Sequence, residues 1–142
     1  SGITDKKDRD TARYMADFSL TEKDVALLAG EKSEQARAQL ADKICYHYNL
    51  KRFDPNATRI AEEIFRLLMR DASPEIRRTL SDSLKENIEA PHDIILHLAR
   101  DVTEVASPVL QFSFVLTEED LVEIAEGSQD VSALQAIAKR ET

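Results

Sequence analysis

The chain has 142 residues, with 27 Asp and Glu against 19 Lys and Arg, a formal net charge of −8, and only three glycines and four prolines. That length buries a core without a disulfide or metal staple, the shortage of Gly and Pro beside 32% charged residues is a helical composition, and the acidic balance disfavours nucleic acid as a partner. The single Cys45 excludes an internal disulfide, and no apolar run approaches the roughly 18 residues of a membrane span, so a cytoplasmic protein that does not insert into a membrane is expected.

Because the chain opens Ser1-Gly2 rather than with Met, an excised piece of a longer protein is expected. Apolar periodicity and punctuation predict helices over 5–16, 21–30, 33–48, 55–70, 74–87, 91–100, 103–113, 117–127 and 130–140. Residues 1–16 are expected to form an N-terminal helical extension and 17–142 a helical repeat domain. Thr21 and Thr117 are placed to cap the helices that follow, with Asp24 and Asp120 at the capping-box position and Leu20–Val25 and Leu116–Leu121 as staples. Asp54-Pro55 and Ser73-Pro74 each put a capping side chain before a proline at the first helical position, whereas Pro91 begins a helix without a good cap. Ile60, Ile64, Leu67 and Leu68, and then Ile76, Leu80 and Leu84, recur at helical spacing and are expected to be core. Pro108 must kink or restart the helix begun at Thr103. In the last helix Val131, Leu134, Ile137 and Ala138 form the stripe expected to face inward, leaving Ala133 and Ala136 for a following repeat.

The chain repeats itself. Phe18 to Val25 aligns with Phe114 to Leu121, and Leu27-Leu28, Ser33, Arg37, Leu40 and Ile44 align with Leu67-Leu68, Ser73, Arg77, Leu80 and Leu84. Further copies run from Leu98-Ala99-Arg100-Asp101 to Leu110 and from Ile124-Ala125 to Ala136. Copies spaced by roughly 25 to 40 residues indicate stacked helical pairs, none of which buries its apolar stripe alone.

Asp71-Ala72-Ser73-Pro74-Glu75-Ile76-Arg77 resembles the HEAT-repeat signature: an acid at the turn, then a branched apolar residue and arginine opening the second helix. The resemblance implies that acid and arginine bond between neighbouring turns, Asp71 with Arg77 and, more weakly, Glu31 with Arg37. The third copy has Ala106 where arginine belongs and the fourth has Ser132, so the charged series is expected to weaken after the second copy. The stretch from Leu98 to Leu121, with Leu98-Ala99-Arg100-Asp101 and Val115-Leu116-Thr117-Glu118-Glu119-Asp120-Leu121, resembles the bacterial family catalogued as domain of unknown function 2336. What this implies is fold: all-α, a HEAT-like α-solenoid of about four stacked helical pairs over residues 17–142.

Chemistry-bearing residues are few. Cys45, His47, His92 and His97 are the only thiol and imidazole groups, and their spacing puts neither the Cys45–His47 pair nor the His92–His97 pair on a common helix face, so no metal site is expected. The histidines are expected on partly exposed helix surface, with Asp93 one turn from His97. No phosphate loop or nucleophile motif is present, and neither a cofactor nor an enzymatic role is expected.

Charge is unevenly spread. Lys51 to Arg78 holds seven basic residues and five acids, whereas Glu86 to Glu126 holds ten acids and Arg100 alone. The leading expectation is a protein-interaction or scaffold module whose acidic end, Glu118, Glu119, Asp120, Glu123 and Glu126, meets another protein with a basic surface. The second helices of the pairs, near Gln35 to Lys43 and Arg77 to Lys85, would line the concave side, and a weak homodimer through the C-terminal edge would cover its apolar surface. Two alternatives stand beside it. Arg66, Arg70, Arg77 and Arg78 could clamp an anionic nucleotide or phosphorylated ligand as a sensor, and a HEAT-like enzyme acting on a DNA base would need a basic groove that the net charge argues against.

Overall fold

The computed structural model describes residues 33–140 together with Leu20 and Val25. Among these the chain is all-helical, with α1 (Glu34–Asn49), α2 (Pro55–Leu68), α3 (Pro74–Leu84), α4 (His92–Ala99), α5 (Thr103–Phe112), α6 (Glu118–Gly127) and α7 (Val131–Ala138). The expected helices at 5–16 and 21–30, and the division at residue 16, lie outside the described residues. None of the described helices is long and apolar enough to cross a membrane.

Local chemistry sets most boundaries. Ser33 accepts from the Ala36 amide at 3.1 Å and Asp54 from the Ala57 amide at 2.8 Å, with Pro55 completing the start of α2. At α6 the capping box is complete: Asp120 N–H donates to Thr117 Oγ at 3.0 Å, and Thr117 N–H donates to the Asp120 carboxylate at 2.9 Å. Ser73 departs from expectation. Its hydroxyl donates to Glu34 at 2.7 Å instead of capping α3, because Asp71 already accepts the Ser73 amide at 2.9 Å and turns that hydroxyl towards α1. Pro108 neither breaks nor restarts α5, which runs unbroken from Thr103 to Phe112, with Ser107 Oγ donating to the Thr103 carbonyl at 2.7 Å one residue before the missing donor.

The heaviest packing skips one element: α1 lies on α3, α3 on α5 and α5 on α7. Lighter contacts join each of these to its neighbours in sequence. A single apolar core runs between the elements, with Ile44, Ile60, Ile64, Phe65, Leu80, Leu98 and Leu110 among the fully buried side chains. Leu67, expected in the core, is largely exposed. The last helix keeps Ile137 against the core as expected but otherwise exchanges its faces. Ala133 and Ala136 are buried, at 7% and 6% exposure, while Val131 and Leu134 are open at 65% and 37% and Ala138 is also exposed. Two alanines one turn apart let α7 approach α5 closely, which the larger stripe would have prevented. Arg140 then closes the junction by donating to the carbonyls of Leu110 at 2.6 Å and Ser113 at 2.5 Å, groups the C-terminal end of α5 leaves unpaired.

The C-terminal end of α1 shows one strained position. Lys51 N–H donates to the Tyr48 carbonyl and Arg52 N–H to the His47 carbonyl, a doubly bonded end that puts Lys51 at φ 56, a left-handed conformation costly for a residue with a Cβ. Its ion pair with Glu89, at 3.1 Å between two well-exposed side chains, recovers little. Lys51→Gly is therefore expected to stabilise the fold by about 0.5–1 kcal/mol, read from the urea midpoint; an unchanged or lower midpoint would show that the position is unstrained.

Candidate functional site

Two turns carry the same arginine–aspartate pair, Met69-Arg70-Asp71 after α2 and Ala99-Arg100-Asp101 after α4. Both helices end in the same tightened way, Asp71 N–H bonding the Leu68 carbonyl at 3.1 Å and Asp101 N–H the Leu98 carbonyl at 3.2 Å, so the two pairs are presented alike. In each, the aspartate reaches back to the fourth residue of the helix before the one it follows. Arg37 on α1 forks Asp71 through Nε at 2.7 Å and Nη2 at 3.1 Å, and Arg77 on α3 forks Asp101 at 2.8 and 3.2 Å. Arg77 also donates Nη1 to the Asp71 backbone carbonyl at 2.6 Å and so spans both turns. At the third junction Ala106 stands where arginine would, and the Thr103 hydroxyl bonds the Asp130 carboxylate instead.

The expected Asp71–Arg77 contact is thus made through a carbonyl, while the Asp71 carboxylate belongs to Arg37. Glu31 lies outside the described residues, and the expected Glu31–Arg37 pair with it. Burial alone would raise the Asp71 carboxyl, but the Arg37 hydrogen bond, the Ser73 amide and the charges of Arg37 and Arg77 outweigh it and hold the group below the ordinary carboxylate range.

The four arginines read from the sequence as an anion clamp do not converge. Arg66 forks Asp93 at 2.8 and 3.0 Å, across from α2 to α4, and Arg77 is held in the turn series. Arg78 faces a different groove, beside Asp82, Lys85, Glu104 and Phe112 between α3 and α5. Arg70, like Arg78, is exposed and makes no ion pair among the described residues, its guanidinium donating at 3.3 Å to the Arg66 carbonyl. It lines a groove of about 550 Å³ on the turn edge together with Arg100 and His97, which the spacing argument did not bring together. The repeated Arg-Asp dipeptide was the available signal. Asp93, placed one turn from His97, pairs with Arg66 instead.

The acidic group divides as well. Glu118, Glu119, Glu123 and Glu126 are exposed, with Glu123 3.5 Å from Arg100. Asp120 is buried and is not part of that surface. It accepts from Thr117 and sits 2.7 Å from His92 Nε2; burial would raise its carboxyl, but these bonds hold it low. Nor does the acidic stretch from Glu86 to Glu126 act as a block, since Asp93 and Asp101 are neutralised by Arg66 and Arg77 from the basic stretch before it.

His47, expected near the surface, is buried beside Phe53, with ring centroids 6.1 Å apart, and burial lowers its pKa. Cys45 is buried too, its thiol pushed up to about 12. Among the described residues no three His, Cys, Asp or Glu side chains gather as a metal site would require. No family model, no curated protein and no solved structure matches the chain.

Arg77→Ala is expected to cost about 2–3 kcal/mol, because it strands Asp101 and a turn carbonyl, whereas Arg70→Ala on the same edge is expected to stay within about 0.5 kcal/mol. Equal losses in urea unfolding would deny the turn series its role. Since the Asp71 carboxyl is depressed in the folded chain, its contribution is complete above the unfolded value of about 4 and disappears as pH falls through the lower folded value. The stability gap between the native chain and Asp71→Asn is therefore expected to be open at about pH 7 and to narrow progressively as pH falls below about 4; a gap independent of pH would contradict the assignment.

Proposed function

We propose that this chain is a non-enzymatic protein-interaction module, a HEAT-like α-solenoid of the kind that the Leu98–Leu121 stretch resembles, working in the cytoplasm of a bacterium as part of a larger protein. The observation that carries this reading is the packing that skips one element. It sets α1, α3, α5 and α7 in successive contact, and such a row offers a partner the continuous surface that helical repeat proteins use for binding.

Two grooves on that face support the reading. One, between α1 and α3, is lined by Asp42, Tyr46, Asn49 and Ser83; the other, between α3 and α5, by Arg78, Asp82, Lys85, Gln111 and Phe112 among others. Tyr46 and Phe112 are each about two-fifths exposed, at 41% and 42%, and Lys85 Nζ lies 4.8 Å from the Phe112 ring centroid. Aromatic side chains half open to water among polar neighbours are the residue types that anchor protein interfaces. The exposed glutamates of α6, Glu118, Glu119, Glu123 and Glu126, favour a partner with a basic surface and act mainly on the rate of encounter.

A photoreactive phenylalanine analogue placed at Tyr46 or Phe112 is expected to cross-link a discrete partner in host extract, with a yield that falls as salt rises, while the same probe at Leu67 gives none. Labelling equal at all three positions, or none at 46 and 112, would remove this face as the binding surface.

A further inference from the structure

We propose that the turn-edge groove between α2 and α4 is a binding site for a phosphomonoester, gripped by Arg70, Arg100 and His97. It goes beyond the interaction reading and does not depend on it, since the groove lies on the edge formed by the turns and not between the α1, α3, α5 and α7 helices.

The groove holds three carboxylates, Asp71, Asp93 and Asp101, which at first sight would repel an anion. Each is already saturated by its own arginine fork, from Arg37, Arg66 and Arg77 respectively. Counted with those partners, five guanidiniums face three carboxylates, and the two left over are Arg70 and Arg100. Arg70 gives one long bond, 3.3 Å, to a carbonyl. Arg100 meets only Glu123, at 3.5 Å between side chains that are both more than half exposed, a contact that solvent largely screens. His97 is half-buried in the same wall and makes no side-chain hydrogen bond among the described residues.

The number of donors selects the ligand. The three aspartates show that one guanidinium fork satisfies a carboxylate here. Two further forks with an imidazole in the same groove match a group with three terminal oxygens and a charge approaching −2, which a phosphomonoester has and a carboxylate lacks. The groove, at about 550 Å³, is larger than a bare phosphate needs, and Met69 and Leu96 supply an apolar wall against which an organic body can lie. Repetition explains how two arginines reach one place: each precedes a turn aspartate that is pulled back to the previous repeat, so the neighbouring side chain is turned outward in the same sense twice.

Titration calorimetry and amide chemical shifts test this with three probes: adenosine 5′-monophosphate, inorganic phosphate and adenosine. The two phosphates are expected to bind and to shift amides of residues 69–71 and 96–101, and adenosine is expected to do neither. Tighter binding of the nucleotide than of phosphate would assign the apolar wall to the organic body, and equal binding would assign the site to the free ion; either supports a phosphate grip. Arg70→Ala and Arg100→Ala are each expected to weaken nucleotide binding about tenfold, with the Lys variants in between, and Glu123→Gln to strengthen it a few-fold by freeing Arg100. Arg78→Ala, on the other groove, is expected to change nothing. Binding of adenosine equal to that of its monophosphate, insensitivity to both arginine variants, or an equal loss in Arg78→Ala would overturn the proposal.

Discussion

The turn edge of this molecule depends on a guanidinium reaching from one helix to the turn that ends the next. The interaction is directional in sequence: Arg37 is answered by Asp71 and Arg77 by Asp101, each time by the acid just past the end of the following helix. Apolar packing alone would let neighbouring pairs slide, because a core of Ile and Leu is tolerant of small shifts in register. A planar fork on a carboxylate held by its own turn amide is not. The Asp71 and Asp101 side chains each bond a following backbone N–H, Ser73 and Val102, so the acceptor is fixed before the arginine arrives. Breaking one such bridge leaves a charge with no substitute partner, which makes the register steep on both sides.

The same directionality redistributes charge. Read along the chain, the acidic surplus lies between Glu86 and Glu126. In space two of its acids are matched with arginines from the Lys51–Arg78 stretch, one is consumed as a helix cap, and the exposed surplus is left mostly on α6. An acidic run in the sequence therefore does not translate directly into an acidic end, because pairing between helices mixes the two stretches.

Helix boundaries were legible because Ser33, Asp54, Thr117 and the prolines act within one turn of themselves, and local chemistry needs no knowledge of the rest. The arginine–aspartate series was legible as a composition of the turn but not as a pairing. Asp71 has Arg77 six residues away and Arg37 more distant in sequence, and only the stacking distance between pairs decides which one its carboxylate takes. The last helix was misread for a related reason. Hydrophobicity ranks Val131 and Leu134 above Ala133 and Ala136, yet the close approach to α5 selects for smallness, a property of the interface and not of the residue. The Arg70, His97 and Arg100 groove joins the ends of α2 and α4, and no spacing within one helix points to it.

Ala106 breaks the series at its third step, where a threonine hydroxyl takes over from a guanidinium. The junction that holds the α6–α7 pair thus lacks the arginine–aspartate fork found at the two before it, and relies on Ala133 and Ala136 in the core with Ile137 against it, on the contact between His92 and Asp120, and on Arg140 gripping carbonyls from beyond the end of α7. Pulled from its C-terminal side, the chain would first have to release Arg140 and then the apolar contacts of α7, while the forks upstream still held. The fold is in this sense a graded fastening, firm along its forked turns and quick to open at the end.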